Sequence, residues 1–172
     1  MAVLNVTLYP DEPLLSVAEP IPSITPKIVK LASDMFDTMI EYEGVGLAAP
    51  QVGVAKRMFV VCEPEQAVQM CLINPVIVES EGREAGEEGC LSLPSVYADV
   101  PRATGVRVQA INEKGEALDF RAEGLLARII QHELDHLNGV IFLDRVDLLT
   151  RQDKLMEWEE RRQRYLEAVK ER

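Results

Sequence analysis

Residues 124–139 read GLLARIIQHELDHLNG, and the reading of this stretch decides the fold. Gly124 opens it, and Asn138-Gly139 closes it with residues that tolerate a left-handed backbone. Leu126, Ile130 and Leu137 add to a second apolar stripe, which predicts a helix running through the core with sheets around it. His132 and His136 are the only two histidines in the chain. Four residues apart on a helix they project from one face, where two imidazoles can grip one metal ion with Glu133 beside it. Leu125, Ile129, His132 and His136 follow 4-3-4 spacing, so the imidazoles are expected to face the core with the leucine and isoleucine. Buried unpaired histidines are costly, whereas metal coordination replaces the hydrogen bonds that burial removes. The plainer alternative is an exposed helix that happens to carry two histidines.

Upstream, Thr25-Pro26 reads as a helix start, Ile28, Leu31, Met35, Met39 and Ile40 recur at helical spacing, and Gly44 terminates, giving a helix over about 26–42. Residues 44–53, GVGLAAPQVG, are too rich in small residues for a regular element and too apolar for a solvated loop, so they are expected to line a site. Strand patterns follow at Arg57–Cys62, Cys71–Glu79, Gly105–Ile111 and Ala117–Ala122, the last two joined by the turn Asn112-Glu113-Lys114-Gly115. The class is α+β, with antiparallel or mixed β-sheets packed around the central helix, an N-terminal helix and a C-terminal helix. That last helix starts near Leu148, and Leu155, Trp158, Tyr165 and Val169 mark a thin apolar seam for docking on its own domain, a partner surface being the alternative.

A chain of 172 residues suits one domain, 1–172, with 148–172 as its C-terminal helix. Met1 to Leu14 mixes acids and prolines into its apolar residues and reads as neither secretory signal nor transit peptide. No apolar run approaches the ~20 residues of a membrane span. Cys62, Cys71 and Cys90 are too few and scattered for a disulfide framework, which points to a reducing cytoplasm. The net charge of −11 disfavours broad nucleic-acid binding; residues 151–172 hold seven basic and six acidic residues, leaving about −12 on the rest.

Two histidines do not complete a catalytic metal site, which needs a third protein ligand and an open position. Cys62 and Cys71 lie in strand patterns and read as buried hydrophobes, whereas Cys90 sits beside glycine where a strand would end. By residue type Cys90 and downstream carboxylates both remain candidates, since no spacing links residue 90 to residue 132.

Three segments together resemble one family. GVGLAAPQ at 44–51, EGCLSLP at 88–94 and QHELDHL at 131–137 look like the three signature motifs of peptide deformylases, in the family's order and at similar separations. The resemblance covers essentially the whole chain, including a helical tail like that of the bacterial type. It implies removal of the formyl group from the N-terminal formylmethionine of new polypeptides, with release of formate. It implies one divalent metal ion, typically Fe2+ with Zn2+, Ni2+ or Co2+ also accepted, on Cys90, His132 and His136 with water as fourth ligand. Metal-bound hydroxide would attack the formyl carbonyl, with Glu133 as general base and acid and with Gln51 and the Leu91 backbone N–H donating to the oxyanion.

The resemblance further implies that the peptide lies as an added strand between Gly46 and Gly89, its methionine among Val45, Leu125, Ile129 and the ring of His132. Arg128 stands at a helix position often apolar in relatives, Gly86 where a larger aliphatic is common, and Tyr97 where several carry arginine or glycine. Glu88 and Arg102 are expected to pair and brace the cysteine loop. Relatives with this tail are thought to dock on the ribosome, for which Arg161, Arg162 and Arg164 could meet phosphates; salt-insensitive binding would argue against that. The rival enzyme is a zincin-type metalloprotease whose third ligand is Glu157 or Glu160, and substitution of Cys90 separates the two. A non-enzymatic metal-binding protein of the same fold is a further rival, whose expected mark, loss of Glu133, Gln51 or a ligand, is not found.

Overall fold

The computed structural model describes residues 2–171. Along the chain come α1 (Pro26–Glu41), β1 (Gly46–Ala48), β2 (Met58–Glu63), β3 (Val68–Glu81), β4 (Glu84–Cys90), β5 (Leu93–Arg102), β6 (Gly105–Ile111), β7 (Ala117–Glu123), α2 (Gly124–Leu137) and α3 (Leu148–Lys170). Five strands form an antiparallel sheet in the order β1-β2-β3-β6-β7, and β4 and β5 form a separate antiparallel pair. The class is α+β.

Strand alternation divides the core. On β2 and β3, Phe59, Val61 and Leu72 face α2 and pack with Leu126, Ile130 and Leu137. Their neighbours Met58, Val60, Cys71 and Ile73 face the opposite way and pack with Ile28, Met35 and Met39 of α1. α1 begins as its sequence predicts: the Thr25 side chain accepts from the Ile28 N–H and Pro26 takes the first turn. A third cluster joins Val96, Ala98 and Val100 of β5 to Ile141, Phe142, Leu143 and Trp158. α2 therefore lies between the large sheet and the β4–β5 pair. Within α3, Trp158 is buried and its Nε1–H donates to the Tyr9 carbonyl at 2.9 Å.

Four expectations need correction. Residues 44–53 contain regular structure, because Gly46–Ala48 pair with Val61, Val60 and Phe59 and the next turn is a 3-10 helix. A strand does end at Cys90 as expected, but its reach back to Glu84 and the whole of β5 went unforeseen, since Glu84, Glu87 and Glu88 look solvated while Glu88 is buried against arginines. Leu125 does not face the core: it is 47% exposed on the cleft wall, because α2 emerges from the sheet at its first turn. In α3, Leu166 rather than Val169 joins the docked seam; Val169 is exposed and Tyr165 reaches the cleft.

Candidate metal centre and cleft

The C-terminal end of β4 brings Cys90 against the two histidines. Their ligand atoms all lie within 4.8 Å of one another, with Cys90 Sγ 3.4 Å from His136 Nε2. The imidazole rings meet edge to face at 5.1 Å between centroids, and His132 stacks on Phe142. Among the described residues no other group of three His, Cys, Asp or Glu converges in this way. Glu157 is engaged with Lys154 and Arg161 on α3, and Glu160 is exposed there. Neither lines the cleft.

Glu88 fixes the His132 ring. Its Oε1 lies 2.7 Å from His132 Nδ1, so the ring donates there and presents the Nε2 lone pair to Cys90 and His136. Glu88 is itself held by Arg102, through Nε at 2.9 Å and Nη2 at 3.0 Å, and by Arg128 Nη1 at 2.7 Å. The expected Glu88–Arg102 pair is thus present, and it extends: Arg102 also donates to Asp135 at 2.6 Å, which Arg145 grips from outside. Burial opposes ionisation of Glu88, but hydrogen bonds from His132 and Arg102 outweigh it and hold its pKa at about 2.

The donor set fits a divalent cation. Burial disfavours charge on His132, yet Cys90 and Glu88 on either side outweigh it and raise its pKa to about 10. His136 shifts the other way, well below its ordinary value, through burial and then the charge of His132. The three ligand atoms converge within 4.8 Å, and a thiolate with two imidazoles suits Zn2+, Fe2+, Ni2+ or Co2+ alike.

Glu133 stands 3.9 Å from His132 Nε2 and is 3% exposed, with no hydrogen-bond partner at Oε2 among the described residues. Burial is the largest cause that raises its pKa to about 7, the value of a group that can take and return a proton near neutrality. Gln51 is held by the Ala48 N–H at its Oε1, 2.9 Å, leaving Nε2 aimed at Cys90 Sγ, 3.5 Å, and at Ser92 Oγ, 3.2 Å. Leu91 follows the cysteine in the β4–β5 turn.

These groups close the inner end of a cleft of about 570 Å³. Its walls include Val45 and Gly46 from one sheet, Gly89 from the other, and Leu125, Arg128, Ile129 and His132 from α2. β1 is the outer strand of its sheet and β4 one strand of a pair, so both present an edge. The structure thus brings together every site residue expected from the sequence. Sequence reasoning missed Ser92, which gives no signal, and the cleft-mouth Tyr42 and Tyr165. It noted Arg128 without foreseeing its four contacts; i+3 and i+4 spacing between Leu125, Arg128 and His132 placed it on the cleft face.

The family described as polypeptide deformylase matches residues 3–152. Peptide deformylase of Neisseria gonorrhoeae is 49% identical over 150 residues, covering 87% of this chain and 90% of that one. That of Carboxydothermus hydrogenoformans is 49% identical over 154 residues, covering 90% and 100%. Among solved structures, a peptide deformylase from Legionella pneumophila superposes with a TM-score of 0.89 at 38% identity, covering 96% of this chain and 98% of that one. Peptide deformylase from Ehrlichia chaffeensis in complex with actinonin gives 0.90 at 36% identity, covering 94% and 98%.

Proposed function

The chain belongs to the polypeptide deformylase family of enzymes, and we propose that it removes the N-formyl group from the N-terminal formylmethionine of newly made polypeptides, releasing formate. The observation that carries this reading is a buried carboxylate, Glu133, set beside a Cys-His-His donor set at the closed end of a cleft with two strand edges. Cys90, His132 and His136 would hold one divalent ion, Fe2+ by family resemblance. Such an ion supplies a water acidified to near neutrality and an electrophile for the carbonyl.

The chain's own residues do the rest. Glu133 takes the proton of the attacking water and returns it to the amide nitrogen as the C–N bond breaks, so one water is consumed and formate and a free amine leave. The Gln51 Nε2–H and the Leu91 N–H donate to the formyl oxygen as negative charge grows on it. Glu88 keeps the His132 ring in one tautomer and orientation. The peptide lies extended between the edge at Gly46 and the edge at Gly89, read through its main chain, with its first side chain among Val45, Leu125, Ile129 and the His132 ring. We also assign residues 1–172 to a single catalytic domain working in the cytoplasm; no helix among the described residues is long and apolar enough to cross a membrane. For the ribosome contact, Arg161 and Arg162 are already paired with Glu157 and Asp11, which leaves Arg164 as the uncommitted cation.

The test is release of formate from formyl-Met-Ala-Ser by anaerobically iron-loaded protein, beside Glu133→Ala with its metal content measured. Turnover in the parent and a loss of at least about a hundredfold in a variant that keeps its metal are expected. A metal-loaded parent that releases no formate would overturn the reading.

A further inference from the structure

We propose that Arg128 makes the pocket for the first side chain a reader of hydrogen-bond acceptors, so that formylated peptides beginning with methionine sulfoxide are substrates alongside those beginning with methionine. The proposal rests on the deformylase reading above.

Arg128 follows Leu125 by three residues and precedes His132 by four, so on α2 it shares their face and lines the same cleft. Its side chain crosses to the β4–β5 pair. Nη1 donates to Glu88 Oε2 at 2.7 Å and to the Val100 carbonyl at 2.7 Å, with the Gly86 carbonyl at 3.4 Å; Nη2 donates to the Glu84 carbonyl at 2.8 Å. The crossing is eased by glycine at residue 86. A Cβ there would lie 3.0 Å from Cζ and from Nη2 of Arg128, and 3.1 Å from Nε. The guanidinium thus packs closely over Gly86, where even a methyl group would crowd it by a few tenths of an ångström, and four contacts hold it there.

A guanidinium carries five N–H donors. The contacts above engage both on Nη1 and one on Nη2, and the Nε–H and the second Nη2–H have no partner among the described residues. The side chain remains 15% exposed and lines the cleft. Val45, Leu125, Ile129 and the His132 ring thus share the cleft with a guanidinium that has two unspent donors. A thioether accepts weakly, whereas the oxygen of a sulfoxide on the same side chain accepts strongly. In a wholly apolar pocket the sulfoxide would lose its hydrogen bonds to water without replacement, at a cost of about ten- to a hundredfold in kcat/KM. Here the guanidinium replaces them. The reaction is unchanged: water adds, formate leaves, and the sulfoxide is untouched.

The experiment compares formate release from formyl-Met-Ala-Ser and from the same peptide with methionine sulfoxide, using metal-loaded parent, Arg128→Leu and Gly86→Ala. The ratio of the two kcat/KM values is the readout, because damage common to both substrates cancels in it. The parent should process the sulfoxide peptide within about tenfold of the methionine peptide, and the ratio should fall about tenfold or more in Arg128→Leu. It should fall less, in the same direction, in Gly86→Ala, whose Cβ crowds the guanidinium and shifts it by a few tenths of an ångström without removing it. Circular dichroism checks each fold, and Gly86→Ala carries the test if Arg128→Leu does not fold. The proposal is overturned by a ratio unchanged in the folded variants, or by a parent that refuses the sulfoxide peptide while hydrolysing the other. If neither peptide yields formate, the deformylase reading has failed and this one with it.

Discussion

Gly46 shows how one missing methyl group sets the geometry of the carboxylate. A Cβ at that position would lie 2.8 Å from Glu133 Oε1 and 2.9 Å from its Cγ, so the Glu133 side chain occupies the space an alanine would need. The family resemblance set Gly46 against the substrate backbone; its close neighbour within the fold is the proposed proton carrier. Overpacking a closed site of this kind costs about 1–3 kcal/mol. Gly46→Ala is therefore expected to lower kcat at least about tenfold while its melting temperature falls by only a few degrees, measured by formate release and calorimetry. Unaltered kcat would show that Glu133 has freedom to move. Of the candidate site, His132, Glu133 and His136 were legible from residue type and helical spacing. Cys90 was not legible without the family resemblance, because its place beside them is set by β4 lying across α2, and sequence spacing carries no trace of that.

At the scale of elements, α1, α2, β6 and the start of α3 could be read within a residue or two, because each buries one periodic face and has a clear terminator. Of β4 only the end at Cys90 could be read, because its buried acid is neutralised by Arg102 and Arg128, partners distant in sequence. α3 is the element with the thinnest anchorage: Trp158 is its one buried side chain, supported by partly buried Leu155 and Leu166. Trp158→Ala removes that packing and the bond to Tyr9, and a loss of about 3 kcal/mol or more is expected in chemical denaturation. Because Tyr165 of the same helix lines the cleft, KM for formylated peptides should rise as well. A variant with unchanged stability and KM would mean that α3 docks by other contacts.

Over the whole molecule, the three candidate ligands come from two separate layers, Cys90 from the β4–β5 pair and the histidines from α2. A cation held there is a cross-link between layers, and anything that binds only the folded state stabilises it, by about 2.7 kcal/mol at a free concentration of 100 Kd. Chelation should therefore lower the melting temperature by about 5–10 °C in a chain of this length, and added Ni2+ or Zn2+ should restore it. A melting temperature indifferent to chelator would argue that Cys90, His132 and His136 hold no ion. The edge strand β1 has only three residues, Gly46–Ala48. A visiting chain laid along it can pair over about 10 Å, three residues of extended backbone. Such an edge asks nothing of a client protein except a loose end, and it is blind to a terminus already woven into its own sheet. If the peptide pairs with this edge as proposed, the shortness of one strand imposes a deadline: each new protein must present its first residues before its own folding takes them away.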